Sequence, residues 1–90
     1  IMRIMAVCGS GLGSSFMVEM NIKKVLKKIL VEAEVEHSDL ASAVPGVADV
    51  FVMGKDLADS ASVPKDKLIV LDNIISLPEL EEKLSNYFGK

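Results

Sequence analysis

The chain is short of several things at once, and each shortage excludes a class of protein. One cysteine, Cys8, in ninety residues rules out an internal disulfide and a cysteine-rich zinc site. A lone thiol suits a reducing compartment. Aromatic residues make up only 4 %, with no tryptophan, so the core must be aliphatic. Positive charge is not in excess: ten Lys and Arg against thirteen Asp and Glu leave −3, which disfavours a general nucleic-acid binder. No apolar run reaches the roughly 18 residues of a membrane-spanning helix. The apolar opening, Ile1 to Val7, passes straight into Gly and Ser with only Arg3 as a basic flank, so it does not read as a secretory signal. What remains is a composition 50 % apolar and 26 % charged. That balance suits one folded domain over residues 1–90, with a cytoplasmic location expected.

Short apolar runs alternate with longer helical patterns. Ile4 to Val7 predicts a buried first strand, ending at Cys8. Val18, Ile22, Val25, Leu26 and Ile29 then recur at helical spacing, with Lys23, Lys24, Lys27 and Lys28 on the remaining faces. Ala33 to His37 alternates as a second strand. Val50 to Met53 is a third, stopped by Gly54, and Leu68 to Leu71 a fourth, stopped by Asp72-Asn73. Lys55 to Ala61 predicts a short helix, with Pro64 closing the loop after it. In the last helix Ser76-Leu77-Pro78-Glu79 fits a capping box, Leu77, Leu80, Leu84, Tyr87 and Phe88 form the expected buried stripe, and Gly89 terminates it. Residues 38–49, with Pro45-Gly46, show no regular pattern.

This order predicts an α/β fold: a four-stranded parallel sheet ordered 2-1-3-4 with helices on both faces, Rossmann-like or flavodoxin-like. Ligands on such sheets bind beyond the carboxyl ends of the strands, at the switch point between strands 1 and 3. Cys8 ends strand 1, so the only thiol falls where this architecture places its chemistry.

Cys8-Gly9-Ser10-Gly11-Leu12-Gly13-Ser14-Ser15 joins that strand to the first helix. Three glycines at alternate positions let backbone N–H groups turn inward around a common centre. The N-terminus of the helix adds its own donors and partial positive charge, and Ser10, Ser14 and Ser15 can add hydroxyls. No Asp or Glu precedes Glu19, and the first turn of this helix holds no carboxylate of its own. Its donors are therefore expected to hold an anion, and the same surroundings should lower the thiol from its usual ~8.5. A cysteine can instead be a small buried hydrophobe. At the mouth of a Gly-Ser loop on a strand end, the reading as a phosphoryl acceptor takes precedence.

Three phosphate-loop types can be compared. A Walker loop needs a lysine, and none occurs between Arg3 and Lys23. A dinucleotide fingerprint needs Gly-x-Gly-x-x-Gly, whereas here the third glycine comes one place early, and ninety residues are few for that fold even with Glu34 or Glu36 as ribose acid. A Cys-x5-Arg-Ser/Thr loop, as in low-molecular-weight tyrosine phosphatases, matches in length and at Ser15, but Ser14 replaces the arginine. Without that bidentate clamp, hydrolysis loses its main charge stabilisation. A loop of neutral donors suits a carrier, which accepts the group and releases it again.

The Cys8–Ser15 motif, after an apolar strand and before a helix rich in Met and Lys, resembles the enzyme IIB component of the bacterial sugar phosphotransferase system, and within it the L-ascorbate type of the lactose/cellobiose-like superfamily. The resemblance implies that Cys8 takes a phosphoryl group from a phosphohistidine of enzyme IIA and passes it to a sugar held by membrane-bound enzyme IIC. Gly9, Ser10, Gly11, Leu12, Gly13, Ser14 and Ser15 would form the cradle, with no metal or diffusible cofactor. The chain would visit the inner face of the membrane only through enzyme IIC. A low-activity cysteine phosphatase and a non-catalytic anion-binding module stay open beside this reading.

Phe16, Met17 and Met20 sit in the first turns of the helix beside Cys8, and at least one lies off the apolar stripe. They are expected to form an exposed rim on which both partners dock. His37, the only histidine, reads as a solvated strand end, and the four helix lysines as a solvated flank. Lys55, next to Gly54 at the switch point, is either a surface lysine or an assisting cation.

Overall fold

Apolar runs of four to six residues, each stopped by Gly or a polar pair, become the buried strands, and the segments with helical periodicity lie across them. The computed structural model describes residues 1–9 and 14–90. Its elements are β1 (Arg3–Cys8), α1 (Ser14–Ile29), β2 (Glu34–Asp39), β3 (Val50–Gly54), α2 (Lys55–Ala58), a 3-10 turn (Lys65–Lys67), β4 (Leu68–Leu71) and α3 (Leu77–Phe88). The four strands form one parallel sheet ordered β2-β1-β3-β4, as the alternation predicts.

Because strand side chains alternate, the central strands feed two cores. Ile4, Ala6, Val50, Val52, Ile69 and Leu71 point to one face and meet Val18, Ile22, Val25 and Leu26 of α1 and Leu80 and Leu84 of α3. Burying a side chain such as Leu84, which has no exposed surface, is worth about 1.5–3 kcal/mol. Met5, Val7, Phe51 and Met53 point to the other face. There the cover is thinner: Ala43, Ala48, Val63 and Leu57 of the short α2. Residues 40–49, within the stretch unpatterned in sequence, thus supply loop cover for the second core, with Ala43 buried.

Several element details differ from the sequence expectations. β2 starts at Glu34 and runs on to Asp39, because the ladder with β1 continues until Cys8 stands beside Asp39. It is an edge strand and half exposed. α2 ends at Ala58; the chain then closes turns through the Ser60 and Ala61 N–H groups, which carry Ala61 towards the second core. In α3, Leu80 and Leu84 are buried and Phe88 is half-buried, but Leu77 and Tyr87 are exposed. Tyr87 turns outward to donate its hydroxyl to the Asp66 carbonyl at 3.0 Å.

The capping box forms only in one direction. Ser76 Oγ accepts the Glu79 N–H at 3.2 Å, and Pro78 lies in the first turn. The Glu79 carboxylate turns instead to the N–H groups of Asp72 and Asn73, at 2.6 and 2.9 Å, and to Lys83 Nζ at 2.8 Å. It therefore ties the end of β4 to α3. The Lys83 ammonium and the two N–H donors hold its carboxyl down to about 2. Gly89 closes α3 with φ +69°, the left-handed cap that glycine adopts without strain.

Candidate functional site

The central position of β1 brings its last residue to the place where the sheet divides: the crossover to β2 leaves on one side and β3 lies on the other. Cys8 occupies that end, buried, beside Asp39 of β2. The chain leaves the sheet at Gly9 and enters α1 at Ser14. The cradle residues Ser10, Gly11, Leu12 and Gly13 lie outside the described residues. α1 has no acidic residue in its first turn, so no carboxylate from its own sequence occupies its donors.

A cleft of about 280 Å³ opens there, lined by Val7, Cys8, Gly9 and Ser14 from the β1–α1 side and by Gly54, Asp56, Leu57 and Ile74 from the β3 and β4 side. Cys8, Gly9 and Ser14 thus share one cleft. Ser15 is placed differently: it is fully buried, and its Oγ has no hydrogen-bond partner among the described residues. Larger grooves of about 590 and 640 Å³ lie along Leu26–Val35 and beside α2, but aliphatic and solvated charged residues line them and no thiol does.

The far wall of the cleft decides between the two readings of Lys55, in favour of a surface lysine. Gly54-Lys55-Asp56 does reach the switch point, but Asp56 lines the cleft and Lys55 turns to the groove beside α2. Gly54 explains how the carboxylate fits. Its backbone is ordinary, φ −72° and ψ 157°, so no conformational need calls for glycine. A Cβ there would lie 2.6 Å from Asp56 Oδ1 and 3.1 Å from Ile74 Cγ2. The missing side chain makes the room that Asp56 occupies. Arg3, the only arginine in the sequence, sits at the opposite end of β1 and pairs with Glu34 at 3.5 Å. No guanidinium faces Cys8 among the described residues.

Beside the cleft, Phe16, Met17 and Met20 are 52 %, 36 % and 42 % exposed, so the whole rim faces solvent. The core stripe of α1 accounts for this, since Val18, Ile22 and Val25 take the inward face. His37 does not end its strand. It lies within β2, its ring meets Phe16 edge-on at 5.6 Å, and its Nδ1 pairs with the Glu19 carboxylate. Glu19 is buried and also holds Lys23 Nζ at 2.8 Å. Burial raises the Glu19 carboxyl, but the bonds from Lys23 and His37 and their charges outweigh it and leave it below the usual range. His37 and Glu19 lie eighteen residues apart, and only the register of β2 against β1 and α1 brings them together. Asp56 stands two residues after a strand-ending glycine, but in a four-residue helix with no buried residue nothing in the sequence marks which side it faces.

The chain matches, over residues 3–86, the family described as the lactose/cellobiose-specific IIB subunit of the PTS system. It is 35 % identical over 82 residues to the mannitol-specific cryptic EIICB component of Escherichia coli K12, covering 90 % of this chain and 18 % of that protein. It is 29 % identical over 82 residues to the mannitol-specific EIICB component of Bacillus subtilis, covering 89 % of this chain and 17 % of that one. The chain therefore spans less than a fifth of these relatives. An ascorbate-specific EIIB component of Mycoplasma pneumoniae is 24 % identical over 87 residues, with 93 % of this chain and 92 % of that protein covered. Among solved structures, a low-molecular-weight protein tyrosine phosphatase from Bacillus subtilis superposes with a TM-score of 0.54 at 16 % identity, covering 96 % of this chain and 89 % of that one, a likeness of fold.

Proposed function

The chain belongs to the IIB subunits of the phosphotransferase system, and from that premise we propose that it carries a phosphoryl group on the sulfur of Cys8. The observation that carries this reading is the position of Cys8, at the carboxyl end of β1, in a cleft shared with the carboxylate-free start of α1. In the charging step the sulfur lone pair forms an S–P bond while the N–P bond of a phosphohistidine on enzyme IIA breaks, its electron pair returning to the imidazole. In the discharging step the S–P bond breaks towards sulfur, and a sugar hydroxyl held by enzyme IIC forms the P–O bond and gives up its proton. In this reading the backbone N–H groups from Gly9 to Ser15 supply the donors around the phosphoryl oxygens, and Phe16, Met17 and Met20 supply the surface that both partners use in turn.

Residues 1–90 act as one IIB unit in this scheme, cytoplasmic and at the inner membrane face only while docked. No described helix is long and apolar enough to cross a membrane; in this reading enzyme IIC holds the sugar. The Cys8–Ser15 motif and the match in extent to the ascorbate-specific relative favour ascorbate as the acceptor. Incubating the chain with phosphorylated enzyme IIA should give a phosphate on Cys8, seen as a mass gain that iodine removes. Cys8→Ser should abolish it with the fold intact. An unlabelled wild-type chain would sink the proposal, and fast turnover of p-nitrophenyl phosphate would replace it with a phosphatase. Membrane vesicles offered ascorbate and mannitol side by side identify the acceptor.

A further inference from the structure

Two acidic residues stand near Cys8 among the described residues: Asp39, whose carboxylate accepts the Ser42 N–H, and Asp56, which lines the cleft and which the carrier chemistry leaves without a role. An anion-binding site ordinarily excludes acidic side chains. Here the fold does the opposite, leaving the side-chain space above Gly54 empty, and Asp56 Oδ1 fills it. The carboxylate lies in the first turn of α2, where its charge favours the helix N-terminus only weakly in so short an element. It makes no hydrogen bond or ion pair among the described residues, it is exposed, and α2 is a single turn whose capping residue, Gly54, has no side chain.

We propose that Asp56 raises the transfer potential of the phosphoryl group on Cys8, so that the group is held loosely enough to be handed on. The proposal rests on the carrier reading of Cys8. Charging adds negative charge to the cleft: a thiolate with one charge becomes a phosphoryl thioester with two near neutral pH. A fixed carboxylate opposes that change. β1 and β3 are adjacent strands, so their ends stand about 5 Å apart, and a group over Gly54 lies on the order of 5–8 Å from the sulfur. At that separation, in a half-solvated cleft, one unit charge is worth roughly a three- to tenfold change in an equilibrium that alters charge by one. Asp56 therefore disfavours retention of the phosphoryl group without contacting the sulfur, and the neutral donors of the β1–α1 side supply the opposing attraction.

The test uses the full chain and its Asp56→Asn variant, which keeps shape and removes charge. The equilibrium between phosphohistidine on enzyme IIA and phosphocysteine on this chain, read by intact mass, should move towards phosphocysteine by about three- to tenfold. The pH midpoint for alkylation of Cys8 by iodoacetamide should fall by about half to one unit, and this readout needs no phosphoryl donor. Asp59→Asn, on the same turn but not lining the cleft, should move neither. If the wild type is charged normally and Asp56→Asn leaves both midpoint and equilibrium unchanged, the inference is wrong. If the alkylation midpoint shifts but the wild type accepts no phosphate, the carrier reading is what fails.

Discussion

Gly54→Ala separates what the fold needs at the switch point from what the site needs. The backbone at Gly54, φ −72° and ψ 157°, is open to alanine, so the substitution should stabilise by about 0.4–1 kcal/mol through reduced freedom of the unfolded chain. Two contacts oppose this. The new Cβ would stand 2.6 Å from Asp56 Oδ1, so that side chain must rotate away; being exposed, it rotates into water at a cost of about 1 kcal/mol or less. The Cβ would also stand 3.1 Å from Ile74 Cγ2, which must give by a few tenths of an ångström, at about 1 kcal/mol if its half-buried packing resists. These effects nearly cancel. Net stability should stay within about 1 kcal/mol of wild type, or about 4–8 °C in Tm for a chain this size. The site should nonetheless change, because the carboxylate has left the cleft. The alkylation midpoint of Cys8 should fall as in Asp56→Asn, and adding Gly54→Ala to Asp56→Asn should move it no further, the signature of two changes acting through one group. Calorimetry and an iodoacetamide pH series on the three variants suffice. A Tm loss beyond about 10 °C would show that Ile74 cannot yield. Additive midpoint shifts would show that the methyl group acts on Cys8 without Asp56.

Three further outcomes follow from other parts of the molecule. Leu30, the residue after α1, has φ +61° and is 83 % exposed, so Leu30→Gly should relieve left-handed strain and raise stability by about 0.5–1 kcal/mol, measured by urea unfolding. Glu79, held down to about 2 by Lys83 and by the Asp72 and Asn73 N–H groups, stabilises the fold above the unfolded carboxylate value of 4.5, and that contribution disappears as pH falls from there through about 2. Glu79→Gln should therefore lower the urea midpoint at pH 7, flatten its pH dependence between 4.5 and 2, and converge on wild type below that. Met20→Lys, outside the core, should leave Tm unchanged and slow phosphoryl exchange with enzyme IIA about five- to tenfold, the scale of one contact residue worth about 1 kcal/mol; an unchanged rate would remove Met20 from the docking surface.

The sheet was legible because buried parallel strands and amphipathic helices write different periods into sequence. Ile4 to Val7 and Val50 to Met53 are uninterrupted because both faces of β1 and β3 are covered. The Val18–Ile22–Val25 spacing is helical because α1 covers one of those faces. Legibility fell where burial is partial. β2 is an edge strand, so Ser38 and Asp39 need not be apolar, and nothing in their types signals two more rungs of ladder. Residues 40–49 cover the second core through scattered small residues, Ala43 and Ala48, which leave no period at all. Leu77 and Tyr87 satisfied the helical spacing of α3 yet face solvent, since a twelve-residue helix meets the sheet over only part of its length.

At the site, the cysteine could be placed from sequence because a strand end and a topological switch point are properties of order along the chain. The charge opposite it could not. Successive helical residues point about 100° apart, and the phase of α2 turns Asp56 and Leu57 to the cleft and Lys55 to the neighbouring groove. A four-residue helix has no apolar stripe from which to read its phase. Opposite signs at adjacent positions then make the electrostatics of the site turn on a rotation that sequence does not encode. The absence of carboxylates before Glu19 was a true statement about the β1–α1 segment, and the cleft has a second wall. On the described wall after β3, one carboxylate, Asp56, lines the cleft, and the glycine between β3 and that charge leaves the space it occupies.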